Sequence, residues 1–275
     1  MKLMAYAKIN LFLDVLGTRT DGFHELCTVM QTVDLCDEID LSVEAASETA
    51  VEITSDSGDI PSDKTNLAAR AVFAYADACG VPLRARIRIE KRIPVCAGLA
   101  GGSADAAAVL RGLNGILRYL PAERLKAVAA TIGSDVPFCL AGGTKLCRGR
   151  GEILSDFSVP MNRYVVLVNS GERILTKEAF RRLDEAHLKK DGDERFAAFC
   201  DAPLVHLFNR FEEVILPDCP LASKLKGELL HRGAESAAMS GSGATVFGIF
   251  RDAQVARSAA EALGGVSTVF VGSQM

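Results

Sequence analysis

The chain has 275 residues, 49% of them hydrophobic and 24% charged, a balance ordinary for a folded protein of one large domain or two smaller ones. Its formal net charge of −4 excludes nucleic-acid binding through a broad basic face, although a local lysine or a glycine loop can still hold an anion. The eight cysteines form no C-x-x-C pair and, with four histidines, complete no zinc pattern, so they read as reduced thiols of a cytoplasmic protein.

In chain order, the apolar run at the N-terminus is interrupted by Lys8, Asn10 and Asp14, and no small-residue cleavage site follows, so it does not read as a signal peptide. No stretch approaches the roughly 20 apolar residues that a membrane span needs. Residues 8–15 alternate like a half-buried strand, and 38–43 and 51–54 read as further strands. Residues 66–79 carry Leu67, Ala71, Tyr75 and Ala78 on one helical face. Residues 84–90 alternate apolar and charged, as a strand with one wet face does. That strand runs out at Pro94, and the stretch PVCAGLAGGSADAA follows. Residues 103–113, rich in alanine, read as a helix whose first turn holds Ser103 and Asp105. A second unit is expected from about residue 153. It has a strand over 164–168, helices over 176–186, 203–215 and 221–231, a solvated charged loop over 191–194, a helix over 253–263 and a last strand near 268–271.

The glycine stretch carries the chemistry. Gly98, Gly101 and Gly102 let backbone approach a ligand closely, and a glycine run that opens a helix presents free N–H groups and a positive dipole end. That arrangement suits phosphate. No lysine precedes Ser103 as a Walker loop requires, and the spacing is not G-x-G-x-x-G. Alone, such a turn can equally be a packing device that lets a helix lie close on a strand. The later Gly241-Ser242-Gly243 is not the G-x-S-x-G of a hydrolase.

Three motifs in order remove that ambiguity. Ala7-Lys8-Ile9-Asn10-Leu11, the loop Pro94, Val95, Cys96, Ala97, Gly98, Leu99, Ala100, Gly101, Gly102, Ser103, Ala104, and Ser240-Gly241-Ser242-Gly243-Ala244-Thr245 together resemble the signature of the GHMP kinase superfamily. The strings 7–26, TNL at 65–67, GSDVPF at 133–138 and GRGE at 149–152 resemble the branch whose acceptor is a methylerythritol carrying a cytidine diphosphate. The resemblance implies an α+β fold in two domains. Residues 1–152 would form an N-terminal α/β domain with a left-handed βαβ unit, and 153–275 a ferredoxin-like α+β domain. It implies ATP as phosphoryl donor, with Mg²⁺ held mainly through phosphates and no carboxylate cage in the sequence; Ser103 is expected at phosphate or metal, a place it can share with a helix-cap role. A small-molecule acceptor is then the partner of a monomer or weak homodimer. Other small alcohols (mevalonate, homoserine) and a nucleotide-binding module without catalysis are the alternatives.

Roles follow residue by residue. Asp135 is the expected base toward the acceptor hydroxyl, although Gly133 to Pro137 also reads as a turn or helix start. Lys8 is its expected partner, a charge in an apolar strand that otherwise reads as an edge lysine reaching solvent. Asn10 shares the strand face of Lys8. Phe23 and His24 match the string that recognises the cytidine end, with Phe23 where the branch has tyrosine, and Phe180 matches the second aromatic of a base sandwich. Thr176 lies one turn from Phe180 and is expected on the substrate. Asn66 and Lys91 match positions near adenine and ribose, Lys91 also reading as a solvated strand end. Ser240, Gly241, Ser242 and Gly243 are expected either to border the acceptor's diphosphate or to support the first loop. Cys96 and Ala100 stand where relatives often have glycine, and the loop is expected to tolerate them if their φ is ordinary.

Overall fold

The computed structural model describes all residues except 161, 173, 187, 190 and 273–275. The chain opens on two long antiparallel strands, β1 (Lys2–Thr18) and β2 (His24–Ala45). There follow β3 (Ala50–Ser55), α1 (Leu67–Cys79) and β4 (Leu83–Glu90); β3 and β4 are parallel, so α1 is the crossover of a βαβ unit. Three more helices, α2 (Gly101–Leu117), α3 (Ala122–Ile132) and α4 (Val136–Ala141), share the first core with the sheet. Next, β5 (Thr144–Arg148) pairs with β2, and β6 (Ile153–Asp156) pairs with β5. The buried alanines of α2, among them Ala104, Ala106, Ala107 and Ala108, let that helix lie against β1 and β2.

The second sheet starts at β7 (Tyr164–Asn169). After it come α5 (Thr176–Glu185), α6 (Gly192–Asp201), β8 (Phe208–Asn209), α7 (Glu212–Ile215) and α8 (Pro220–His231). The chain finishes with β9 (Ser236–Met239), β10 (Thr245–Phe250), α9 (Ala253–Leu263) and β11 (Val266–Val269). The strand order is β11-β7-β10-β9, with every neighbour antiparallel. With α8 preceding β9 and α9 preceding β11, this is the ferredoxin-like arrangement.

Three expectations are corrected. First, β1 is not half-buried: Ala5 and Ala7 to Asp14 are all buried. Its neighbours are β2 on one side and β8 on the other, and Phe196 and Phe199 of α6 pack on Phe12 with ring centroids 5.1 and 5.3 Å away. Second, the charged segment read as a loop over 191–194 begins α6, whose phenylalanines supply a core face. Third, the helix expected over 203–215 is confined to α7, because Phe208 and Asn209 pair with Phe12 and Leu13. β6 and β8 also belong to the first sheet, and Phe196 and Phe199 of α6 pack into its core.

One buried ion cluster ties these pieces. Arg210, 4% exposed, donates to Asp14 at 2.7 Å, to Asp191 at 2.7 Å and to Glu213 at 2.9 Å. It therefore joins β1, the entry to α6 and α7. Removing the guanidinium leaves Asp14, 3% exposed, without its charged partner. Breaking a buried pair from one side costs about 3 kcal/mol or more. Arg210→Ala is expected to lower unfolding stability in urea by that amount; a change under about 1 kcal/mol would remove the cluster from the account.

Candidate active site

The site is built around Lys8. Register shifts on either side of Lys8 and Asn10, between Tyr6 and Lys8 and between Asn10 and Phe12, mark irregularities of the kind that re-aim strand side chains. The Lys8 ammonium donates to Asn10 Oδ1 at 2.8 Å and to the Gly98 carbonyl at 3.0 Å, and lies 3.9 Å from Asp135 Oδ2. Lys8 is 4% exposed, so it is not an edge lysine reaching solvent. Asp135 occupies the N-cap position of α4 but makes no side-chain cap bond. Its carboxylate, 31% exposed, is left facing outward beside the ammonium.

Two glycine loops close on that lysine. Gly98 has φ +76°, and a Cβ there would collide with the Ser240 carbonyl oxygen. Gly241 has φ +57°, and its Cβ would lie 3.0 Å from the Gly98 carbonyl oxygen and 3.4 Å from Lys8 Nζ. Only backbone without side chains can approach so closely in the left-handed region. The loops are also bonded: the Ser240 hydroxyl donates to Gly98 O at 2.9 Å, and the Gly241 N–H donates to Asn10 Oδ1 at 3.0 Å. Asn209 of β8 holds the far loop, donating to the carbonyls of Met239 and Gly241 at 2.7 and 2.8 Å.

Beside this junction α2 begins. Its first helical hydrogen bond runs from Ala104 N to Ala100 O at 2.9 Å, and the preceding N–H groups at 101–103 have no helical acceptor. They stand at the positive end of a 17-residue helix, on the wall of a cavity of about 1100 Å³. An outward-facing carboxylate paired with a fixed ammonium, and a row of backbone donors on the same cavity, are what phosphoryl transfer to a hydroxyl needs.

The comparisons agree with that chemistry. The family model described as the GHMP kinases N terminal domain matches residues 66–143, and the GHMP kinases C terminal model matches 197–266. The 4-diphosphocytidyl-2-C-methyl-D-erythritol kinase of Gloeobacter violaceus is 42% identical over 96% of this chain and 90% of its own. That of Syntrophomonas wolfei is 44% identical over 94% and 92%. A crystal structure of 4-(cytidine 5'-diphospho)-2C-methyl-D-erythritol kinase is 33% identical and superposes with a TM-score of 0.80, covering 99% of this chain and all of that one. A homoserine kinase structure from Cytophaga hutchinsonii shares the fold, with a TM-score of 0.76 at 19% identity.

The chain belongs to the 4-diphosphocytidyl-2-C-methyl-D-erythritol kinases, a branch of the GHMP kinases.

Within this GHMP kinase, most of the expected loop lines the cavity, including Pro94, Val95, Cys96, Ala97, Gly98 and Ala100 to Ser103. Leu99 and Ala104 do not: each is 1% exposed and packs into the first core. Ser240, fully buried, supports the first loop, and Gly243 faces Met239 and Ile174, whereas Gly241 and Ser242 reach the cavity. The Thr176 hydroxyl lies 3.2 Å from that of Ser242. Asn66 lines the cavity with its amide already engaged, accepting from Ala68 N at 2.9 Å and donating to Pro61 O at 2.7 Å. Its side chain thereby caps α1.

Lys91 is not a solvated strand end. Its ammonium is buried between Asp37 and Asp105, 2.9 Å from the latter. Asp37 also accepts from the N–H groups of Arg92 and Ile93 at 2.6 and 2.8 Å. Asp105 lies past the first turn of α2, so it serves this ion pair rather than the helix end. Its Oδ1 has no partner among the described residues. Burial raises the Asp105 carboxyl to about 7 against the pull of Lys91.

Cys96 and Ala100 depart from expectation: their φ values are +56° and +57°, not ordinary ones. Each residue carries a Cβ in the region that glycine occupies without strain.

Phe23, His24 and Phe180, the residues expected at the base, all line the cavity. Phe180 stacks on His24, with centroids 4.3 Å apart and 20° between planes, and meets Phe211 edge-on. Phe23, 47% exposed, carries the Arg150 guanidinium 4.6 Å from its centroid. Sequence reasoning gave no role to Arg150, Asp184, Asn209 or Asp37. Arg150 lies within the quoted GRGE string, while the other three carry no local signal.

For a metal, no group of three His, Cys, Asp or Glu side chains converges among the described residues. Asp37 and Asp105 are committed to Lys91, which leaves the Ser103 hydroxyl and Asp135 as oxygen donors beside the loop. Such a set fits a cation carried chiefly by phosphates and water.

Two outcomes follow. Relief of left-handed strain (about 1–2 kcal/mol) exceeds the extra chain entropy of glycine (about 0.4–1 kcal/mol), so Ala100→Gly is expected to gain about 0.5–1 kcal/mol in urea unfolding. A loss of about 1 kcal/mol would contradict it. Asp105 has a folded pKa above its unfolded value, so its protonated form supports the fold, and that contribution is lost as pH rises through about 7. The stability of Asp105→Asn relative to the unsubstituted chain should therefore rise between about pH 5 and about pH 8. A flat or falling difference would refute the assignment.

Proposed function

We propose that the protein transfers the γ-phosphoryl group of ATP to the 2-hydroxyl of 4-diphosphocytidyl-2-C-methyl-D-erythritol, in the non-mevalonate route to isoprenoid precursors. The observation that carries this reading is the Lys8–Asp135 pair, 3.9 Å apart where the two glycine loops meet. Asp135 accepts the hydroxyl proton as the new O–P bond forms, the bond from phosphorus to the β-phosphate oxygen breaks, and ADP leaves. Lys8, fixed by Asn10 and Gly98, stabilises charge on the transferring group.

The donor's phosphates lie against the N–H groups at 101–103, with Ser103 beside them, and Asn66 and Lys91 shape the adenosine end. Mg²⁺, when bound, neutralises phosphate charge, and the Ser103 hydroxyl would help to hold it. The cytosine lies on the exposed ring of Phe23 with its edge toward His24, while Thr176, Gly241 and Ser242 border the rest of the acceptor. Homologous full-length kinases of the same name support the substrate. Among the described residues no helix is long and apolar enough to cross a membrane. We read the enzyme as a cytoplasmic monomer or weak homodimer.

ADP release is the test, with Mg-ATP and a panel of the cytidylyl acceptor, mevalonate, homoserine and galactose. Turnover is expected with the cytidylyl acceptor alone. Asp135→Asn should lower kcat by about 10²–10⁴-fold and Lys8→Ala by about 10²–10³-fold. Turnover on another acceptor and none on the cytidylyl compound would discard the substrate.

A further inference from the structure

Helix α5 holds His24 from two sides. The Phe180 ring lies against one face of the imidazole, and one turn later Asp184 Oδ1 lies 2.8 Å from its Nε2. Phe180 and Asp184 are four residues apart, so they are neighbours on one helix surface. The His24 side chain is 11% exposed and lines the cavity, and its Nδ1 has no partner among the described residues.

A carboxylate can only accept, so the nitrogen facing it carries the hydrogen. In the neutral ring the other nitrogen is then left with a lone pair. A carboxylate behind a metal-ligating histidine fixes its tautomer in the same way. We propose that Asp184 is a positioning residue that fixes His24 as a hydrogen-bond acceptor at Nδ1, and so selects a nucleobase that offers an exocyclic amino group. This rests on the cytidine acceptor proposed above.

Stacking on Phe23 cannot make that choice, because every base has a π-face. The edge can. Cytosine offers an amino donor where uracil has a carbonyl oxygen. Against a lone pair on Nδ1, cytosine gains a hydrogen bond, whereas uracil sets two acceptors face to face. Without Asp184 the imidazole can adopt either tautomer and meet either base, so discrimination is lost before binding is.

The test compares kcat/KM for the cytidine-diphosphate acceptor with that for its uridine-diphosphate counterpart. In Asp184→Ala the cytidine-to-uridine ratio should fall about tenfold, with the loss in the KM of the acceptor and not in that of ATP. Asp184→Glu should restore most of it. Imidazole ¹⁵N spectra should show His24 protonated at Nε2 in the unsubstituted protein and a tautomer mixture in Asp184→Ala. An unchanged ratio in Asp184→Ala, or a His24 carrying its hydrogen on Nδ1 or on both nitrogens, would overturn this inference and leave the cytidylyl substrate standing. Failure of the unsubstituted enzyme to use the cytidylyl acceptor at all would overturn both.

Discussion

An ammonium group buried in the middle of a sheet has to be compensated, and most of the active-site architecture follows from how Lys8 is. Leaving such a charge unpaired away from water costs far more than a typical fold's net stability can absorb. Here the compensation is shared among Asn10, the Gly98 carbonyl and Asp135, which come from a strand, a loop and a helix start. Each of these has to be in place for the lysine to be tolerated, and each is thereby fixed relative to the others. Substrate-side geometry is consequently set by the fold before any ligand arrives.

The same constraint explains the second glycine loop. Asn10 Oδ1 accepts from Lys8 and from Gly241 N, so one amide oxygen joins the reaction centre to the ferredoxin-like half. Its Nδ2 donates to Thr28 at 2.8 Å, which fixes which end of the amide faces the lysine. Asn209 extends the connection from β8 into the loop after β9. The cavity lies between two units, yet its reacting groups are linked by direct hydrogen bonds through β1 and β8. In this arrangement the glycines do more than cradle phosphate: Gly98 and Gly241 let two backbones touch over the ammonium.

Much of the fold was legible where periodicity was strong. The helix expected over 253–263 is α9, and the alternating 84–90 lies within β4. Motif order led to the superfamily, and of the two roles open to the second glycine loop, the structure shows Ser240 supporting the first. What escaped reading was tertiary. The buried state of β1 depends on Phe196 and Phe199, which sit behind a run of charges that looks solvated in sequence. The sequence puts Asp105 in the first turn of a helix beginning at residue 103, but α2 begins at Gly101, and only a contact of the fold brings Lys91 to Asp105. The positive φ of Cys96 and Ala100 was hidden by ordinary side chains in positions that favour glycine. His24 and Phe180 were both singled out, but that they touch depends on α5 docking beside the β1–β2 turn.

The central claim is that Lys8 and Asp135 act as one unit, and a double-mutant cycle on kcat/KM tests it most directly. Groups that act together lose their effect when either is removed, so the double variant Lys8→Ala, Asp135→Asn is expected to be no slower than the slower single variant. Losses that multiply across the cycle would contradict the account, by showing two independent contributions where the geometry places one.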